Sequence, residues 1–101
     1  MPKKTAINSD ILYDAKQKTS PKIYELILKL VNEHREDLAK VVLRIDYLLQ
    51  YANNSIRQKE FDEAREALNG AKMRMDMLKK NNVDLEHIEY LYDGIYKKLK
   101  Q

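Results

Sequence analysis

Apolar residues recur along this chain at alternating steps of three and four. Phe61, Ala64, Leu68, Ala71, Met75 and Leu78 form one such series. Leu85, Ile88, Tyr92, Ile95 and Leu99 form a second, and Leu38, Val41, Ile45, Leu48, Ala52 and Ile56 a third. A 3.6-residue period puts each series on one stripe of an amphipathic helix, which buries itself against neighbouring helices. A fourth series, Ile23, Ile27, Leu30 and His34, runs into Leu38 without losing register. A single helix of about 35 residues would be about 52 Å long, against about 33 and 25 Å for the two helices that follow. Much of its stripe would then lie uncovered. The pattern therefore favours a break between Glu33 and Asp37, giving helices of similar length around a closed core.

Polar punctuation supplies the boundaries. Ser20 precedes Pro21, which suits an N-cap followed by a proline at the first helical position. Asn81-Asn82-Val83-Asp84 reads as a turn ending in a capping aspartate. The polar stretch Asn54 to Lys59 reads as a tight helix–helix turn. Ser9 to Lys18 reads as a short helix packing Ile11, Leu12 and Ala15. No proline occurs between residues 22 and 101, so nothing interrupts long helices from within. The expected fold is all-α: an antiparallel up-and-down four-helix bundle over residues 21–101. A basic N-terminal arm with a short helix, residues 1–20, precedes it.

Length and composition narrow the function. A chain of 101 residues is one domain's worth. With 44% hydrophobic and 35% charged residues it can build a core. The absence of cysteine removes disulfides, thiolate zinc sites and cysteine nucleophiles, and makes a cytoplasmic setting the default expectation. Gly70 and Gly94 stand alone, so no glycine-rich phosphate loop is present. Met1-Pro2-Lys3-Lys4-Thr5 is followed by no apolar run of the signal-peptide kind. The longest nearly apolar stretch, Val41 to Ile45, is too short to span a bilayer, so no membrane insertion is expected.

Charge is unevenly placed. The net charge is +3. Lys3, Lys4, Lys16, Lys18 and Lys22 face only Asp10 and Asp14 in the first 22 residues, and Lys97, Lys98 and Lys100 close the chain with no acid after Asp93. Up-and-down order puts Lys22, Arg57, Lys59 and Lys97 to Lys100 at one pole. Two readings compete. In the first, acids at the start and bases at the end of the last two helices complement the helix macrodipoles, and the paired ends neutralise one another. In the second, Lys16, Lys18, Lys22, Lys97, Lys98 and Lys100 form a phosphate-binding pole, with Lys3 and Lys4 as an arm. Such binding is salt-sensitive and indifferent to sequence.

Seven tyrosines against one phenylalanine is a second feature. Tyr92 falls on a core stripe, with Tyr90 and Tyr96 flanking it, and Tyr47 and Tyr51 form an i,i+4 pair. Core-edge packing, a protein interface and base stacking all suit such rings. Tyr96 is the aromatic best placed among the terminal lysines. Met73 and Met77 form an i,i+4 pair off the stripe that holds Met75. They make either a soft exposed patch or the second face of a central helix.

Catalytic and metal chemistry find little. There is no HExxH, and no arginine precedes a histidine at the helical ribonuclease spacing. Leu43-Arg44-Ile45-Asp46 is similar to the first helix of all-helical chorismate mutases, without the further cations of that fold. His34 and His87, near Glu33, Asp37 and Glu86, lack the paired Glu-x-x-His of di-metal bundles. No enzyme, metal or cofactor is expected.

From about Leu38 onward the chain resembles the accessory variability determinant (Avd) family of diversity-generating retroelements. The resemblance rests on Arg44-Ile45-Asp46-Tyr47-Leu48-Leu49, on Ala67-Leu68 with the basic end Arg74 to Lys80, and on the short Asn81-Asn82 loop. The capped last helix with its basic terminus completes it. It implies a basic oligomeric bundle that binds nucleic acid and a reverse transcriptase and has no activity of its own. In size and charge the chain is also similar to small helical immunity proteins against bacteriocins. The first expectation is thus a non-enzymatic accessory protein. It binds nucleic acid, RNA rather than DNA, through Lys16, Lys18, Lys22, Tyr96, Lys97, Lys98 and Lys100, and it docks to a protein partner or to itself. The alternative is an immunity- or inhibitor-like interaction module acting through Tyr47, Tyr51, Met73 and Met77.

Overall fold

A computed structural model describes residues 11–100. The start of the short N-terminal helix at Ser9, and the arm lysines Lys3 and Lys4, lie outside the described residues. Every regular element among the described residues is helical. Residues 11–18 are helical (α1), followed by α2 (Pro21–Asn32), α3 (Glu36–Arg57), α4 (Phe61–Lys80) and α5 (Glu86–Lys100). No helix among them is long and apolar enough to cross a membrane. The chain divides into two compact units between Leu43 and Arg44, inside α3.

In the first unit, α1 ends where the Thr19 amide and hydroxyl both donate to the Ala15 carbonyl, at 2.8 and 2.6 Å. Ser20 then takes extended geometry and Pro21 opens α2, although the Ser20 side chain makes no capping bond. Ile11, Ala15, Ile23, Ile27, Leu30 and Val31 are buried. The break falls between Asn32 and Glu36, close to where it was expected, but the helices it separates are not of similar length: α2 has 12 residues and α3 has 22. The His34 amide donates to the Val31 carbonyl at 3.0 Å and the Arg35 amide to the Leu30 carbonyl at 2.8 Å. This pair of bonds is a Schellman closure, and His34 supplies its left-handed residue with φ 61°.

The same device ends α3 and α4. Lys59 (φ 63°) and Asn82 (φ 61°) occupy the left-handed position. The Glu60 amide reaches back to the Ser55 carbonyl at 2.8 Å, and the Val83 amide to the Leu78 carbonyl at 3.1 Å. Helix α3 therefore continues through Asn54 to Arg57, and the turn expected over Asn54 to Lys59 is confined to its last residues. Asn54 and Ser55, with their modest helix propensity, do not stop a helix whose stop is set by Lys59.

In the second unit, the stripe of α4 is buried as expected, from Ala64 to Leu78, with Ala67 added and Phe61 left exposed. Leu85 and Ile88 of the last segment are buried, and Tyr92, Ile95 and Leu99 are half-buried as the helix runs outward. Of the stripe expected on α3, which spans both units, Leu38, Ile45 and Ala52 are buried, while Val41, Leu48 and Ile56 are only half-buried and Val42 and Leu49 are buried instead. The buried stripe includes Asp46 and Ser55, and these polar members hid it from a reading of apolar periodicity. Gln50 Nε2 donates to Asp46 Oδ2 at 2.6 Å, and no buried side-chain polar atom among the described residues lacks a partner.

Candidate interaction site

Helices α3 and α4 run antiparallel within the second unit. Arg44 lies beside Arg74, Leu48 beside Gly70, and the Tyr51 hydroxyl donates to Glu63 Oε2 at 3.0 Å. Gly70 sets the close approach: a Cβ there would stand 3.4 Å from Leu48 Cδ1 and 3.5 Å from Arg74 Nη1. The Arg74 guanidinium folds back and donates to the Gly70 carbonyl at 3.0 Å. Small Ala67 and Gly70 thus form the floor of a groove, with Tyr47 and Tyr51 on one wall and Met73 on the other.

Three of the four residues expected to meet a partner line this groove, and all four are exposed: Tyr47 by 54%, Tyr51 by 39%, Met73 by 71% and Met77 by 40%. Met77 lies one helical turn beyond Met73, outside the lining. The pairing of Met73 and Met77 is therefore an exposed patch, since α4 buries only its other face. The Tyr47 and Tyr51 rings are 6.2 Å apart and tilted by 39°. The Arg44 guanidinium lies 5.2 Å from the centre of the Tyr47 ring. The bond to the Glu63 carboxylate, helped by its charge, pushes the Tyr51 hydroxyl above the usual tyrosine range.

The groove is electrically polar. Arg44 and Arg74 mark one end, Glu63 and Glu66 the other. None of these four makes an ion pair among the described residues. Nothing in the pattern of residues marks Arg44, Glu63, Glu66, Gly70 and Arg74 as site residues. Each has an ordinary place on its own helix, and only the pairing of α3 with α4 brings them together.

Helices α4 and α5 also pack against each other, antiparallel. Where they are joined, Lys79 Nζ meets Glu89 Oε2 at 2.6 Å, and this contact raises the lysine pKa. The basic end of α4 is thus matched by the acidic start of α5, as the macrodipole reading expected. Asp84 accepts the Glu86 amide at 3.0 Å, which is its expected capping role.

At the far end of α5 the match is not repeated. Lys97, Lys98 and Lys100 meet no carboxylate among the described residues. Lys98 Nζ donates to Asn53 Oδ1 at 3.2 Å, and Lys100 Nζ stands 5.1 Å from the centre of the Tyr96 ring. Tyr96 stacks on Tyr92 at 6.0 Å, with planes 10° apart. So Tyr96, 41% exposed, does sit among the terminal lysines. Lys16, Lys18 and Lys22 belong to the first unit, on α1 and the first turn of α2. All three are exposed, and Lys18 pairs with Asp14 at 3.0 Å. Helix α2 has no acid in its first turn, so Lys22 opposes the helix dipole there.

Among the described residues no three His, Cys, Asp or Glu side chains gather as a metal site. His34 caps a helix, and His87 stacks on Tyr90 at 6.3 Å. The comparisons add no relative to this geometry: no protein-family model matches the chain, and no curated protein or solved structure matches it.

Proposed function

We propose that this chain is a non-catalytic protein–protein interaction module of the immunity or inhibitor type, built as an antiparallel four-helix bundle with a short N-terminal arm. It works in the cytoplasm and needs no cofactor. One observation carries the reading: Tyr47, Tyr51 and Met73 are exposed together in one groove, over a floor of small residues. Tyrosine and methionine give large, adaptable contact area at low cost in polar desolvation. Grouped aromatic anchors in a concave site are where binding energy concentrates.

The test is partner capture by the chain and by a variant carrying Tyr47→Ala, Tyr51→Ala, Met73→Ala and Met77→Ala. Capture is expected to be lost with helicity by circular dichroism unchanged. Retained capture, or a collapse of helicity, would remove these residues as the interface.

A second reading is favoured by a separate observation, the unmatched Lys97, Lys98 and Lys100 around Tyr96. Here the end of α5 binds nucleic-acid phosphates, RNA in preference to DNA, and Tyr96 offers a ring for a base. Lys16, Lys18 and Lys22 would extend that surface. The resemblance to the Avd family adds a reverse transcriptase as the protein partner in this case.

A further inference from the structure

We propose that the α3–α4 groove is occupied by the same groove of a second copy of this chain, related by a two-fold axis. The inference rests on the reading of this groove as a protein-binding surface, and it names a second copy, in place of a separate target protein, as the occupant.

The argument is charge complementarity. Arg44 and Arg74 sit at one end of the groove, and Glu63 and Glu66 at the other. From Glu63 to Arg74 is eleven residues of one helix, about 16 Å along its axis. A two-fold axis lying in the plane of contact, across the middle of the groove and perpendicular to the helix axes, brings the two grooves face to face with one copy reversed. The arginine end of each copy then meets the glutamate end of its mate, and both contacts form at once. A two-fold interface requires this self-complementarity: the same patch must serve as both donor and acceptor of each contact.

The groups involved are ready for it. None of the four charged groups is already in an ion pair among the described residues. Arg44 is held at its end of the groove by the Tyr47 ring, and Arg74 by the Gly70 carbonyl. Between the ends, Tyr47, Tyr51 and Met73 present apolar surface above Ala67 and Gly70. Side chains from the second copy can enter over that floor. Nucleic acid does not fit, because Glu63 and Glu66 repel phosphate. A different protein would need the same spacing of charges in reverse order, a surface the chain already carries. The groove is only about 16 Å long, so the dimer is weak and forms at micromolar concentrations or above.

Sedimentation equilibrium of the full chain tests this, over about 1 µM to 1 mM, which brackets weak contacts of this size. The mass should rise from 12.0 kDa towards twice that value. Two variants invert the ends: Arg44→Glu with Arg74→Glu, and Glu63→Arg with Glu66→Arg. Each alone should associate on the order of a hundredfold more weakly, because like charges now face each other. An equimolar mixture should recover the dimer, since an all-acidic groove then meets an all-basic one. If a double variant loses helicity, the exposed single changes Arg44→Glu and Glu66→Arg serve as the mixing pair. Met73→Asp should abolish association without touching the charged ends.

A wild-type mass fixed at 12.0 kDa throughout the range would overturn the second copy as occupant. The interaction reading would then stand or fall separately on the alanine variant's capture of another partner. A dimer that survives both inversions and Met73→Asp, or folded variants that do not associate when mixed, would also overturn the proposal.

Discussion

Asp46 is a carboxylate placed where the chain buries apolar side chains. It is 7% exposed, between Ile45 and Leu49 on the buried face of α3. Burial raises its pKa above the usual aspartate value of 3.8, and the hydrogen bond from Gln50 offsets part of that rise. The sign for stability follows from linkage. The folded chain holds the proton more tightly than the unfolded chain. Stability from this site is therefore full below 3.8 and is lost as pH climbs through the raised folded value. At neutral pH the ionised group is a cost. Asp46→Asn keeps an acceptor for Gln50 and removes the charge. It should stabilise the chain at pH 7 by on the order of 1 kcal/mol, the usual size of a single-site effect. The gain should vanish below pH 3.8, where the folded and unfolded chains both hold the proton. Urea melts of both proteins at the two pH values check this, and an equal gain at both would refute the ionisation argument.

At the scale of elements, the helix ends are the unusual feature. Three Schellman closures use His34, Lys59 and Asn82 in the left-handed region, and neither glycine is used there. An L-residue loses on the order of 1–2 kcal/mol in that conformation, while asparagine tolerates it better. Lys59→Gly should therefore stabilise the chain by about 1 kcal/mol, and Asn82→Gly by clearly less. Thermal melts should show the order as a rise in midpoint of about 4–8 °C for each kcal/mol. Equal shifts would mean that side-chain identity is not what limits these turns. These closures also explain which boundaries were legible. The break after Asn32 was visible because an unbroken helix would outrun its neighbours. The end of α3 reads early in the sequence because the polar stretch Asn54 to Lys59 looks like a turn, while the stop itself lies in the backbone at Lys59. The stripe of α4 was legible because its buried members are all apolar. That of α3 is only half legible: Leu38, Ile45 and Ala52 follow the apolar period, but Asp46 and Ser55 share the buried face and carry it away from Val41, Leu48 and Ile56. The pairs Tyr47–Tyr51 and Met73–Met77 were visible as i,i+4 spacings. The groove that joins Tyr47, Tyr51 and Met73 was not, since it depends on which helices pair.

For the whole molecule, the distribution of charge decides between surfaces. A net charge of +3 over 101 residues is a weak electrostatic footprint, so attraction to a polyanion must come from local clusters. At the end of α4, Lys79 is paired with Glu89 within the fold. Lys97, Lys98 and Lys100 are the other case, left over at the end of α5, where the helix dipole also favours cations. A dipole role and a phosphate role make different predictions for the same variant. Changing all three to Gln removes up to three phosphate contacts. If they bind nucleic acid, the slope of log affinity against log salt should flatten by up to about 2.7 for duplex DNA, or about 2.1 for a single strand. If they only complement the dipole, binding at about 50 mM salt should be equally weak in both proteins, and thermal stability should fall instead. The loss should be about 0.3–1 kcal/mol for each lysine near the helix end. Fluorescence anisotropy with a structured RNA and a duplex DNA, read beside a thermal melt, separates the two. The groove variants serve as the control. Arg44→Glu with Arg74→Glu should leave this salt slope unchanged if the end of α5 alone carries the contact. A slope that falls with the groove arginines would place phosphate in the groove despite Glu63 and Glu66, and would count against self-association there.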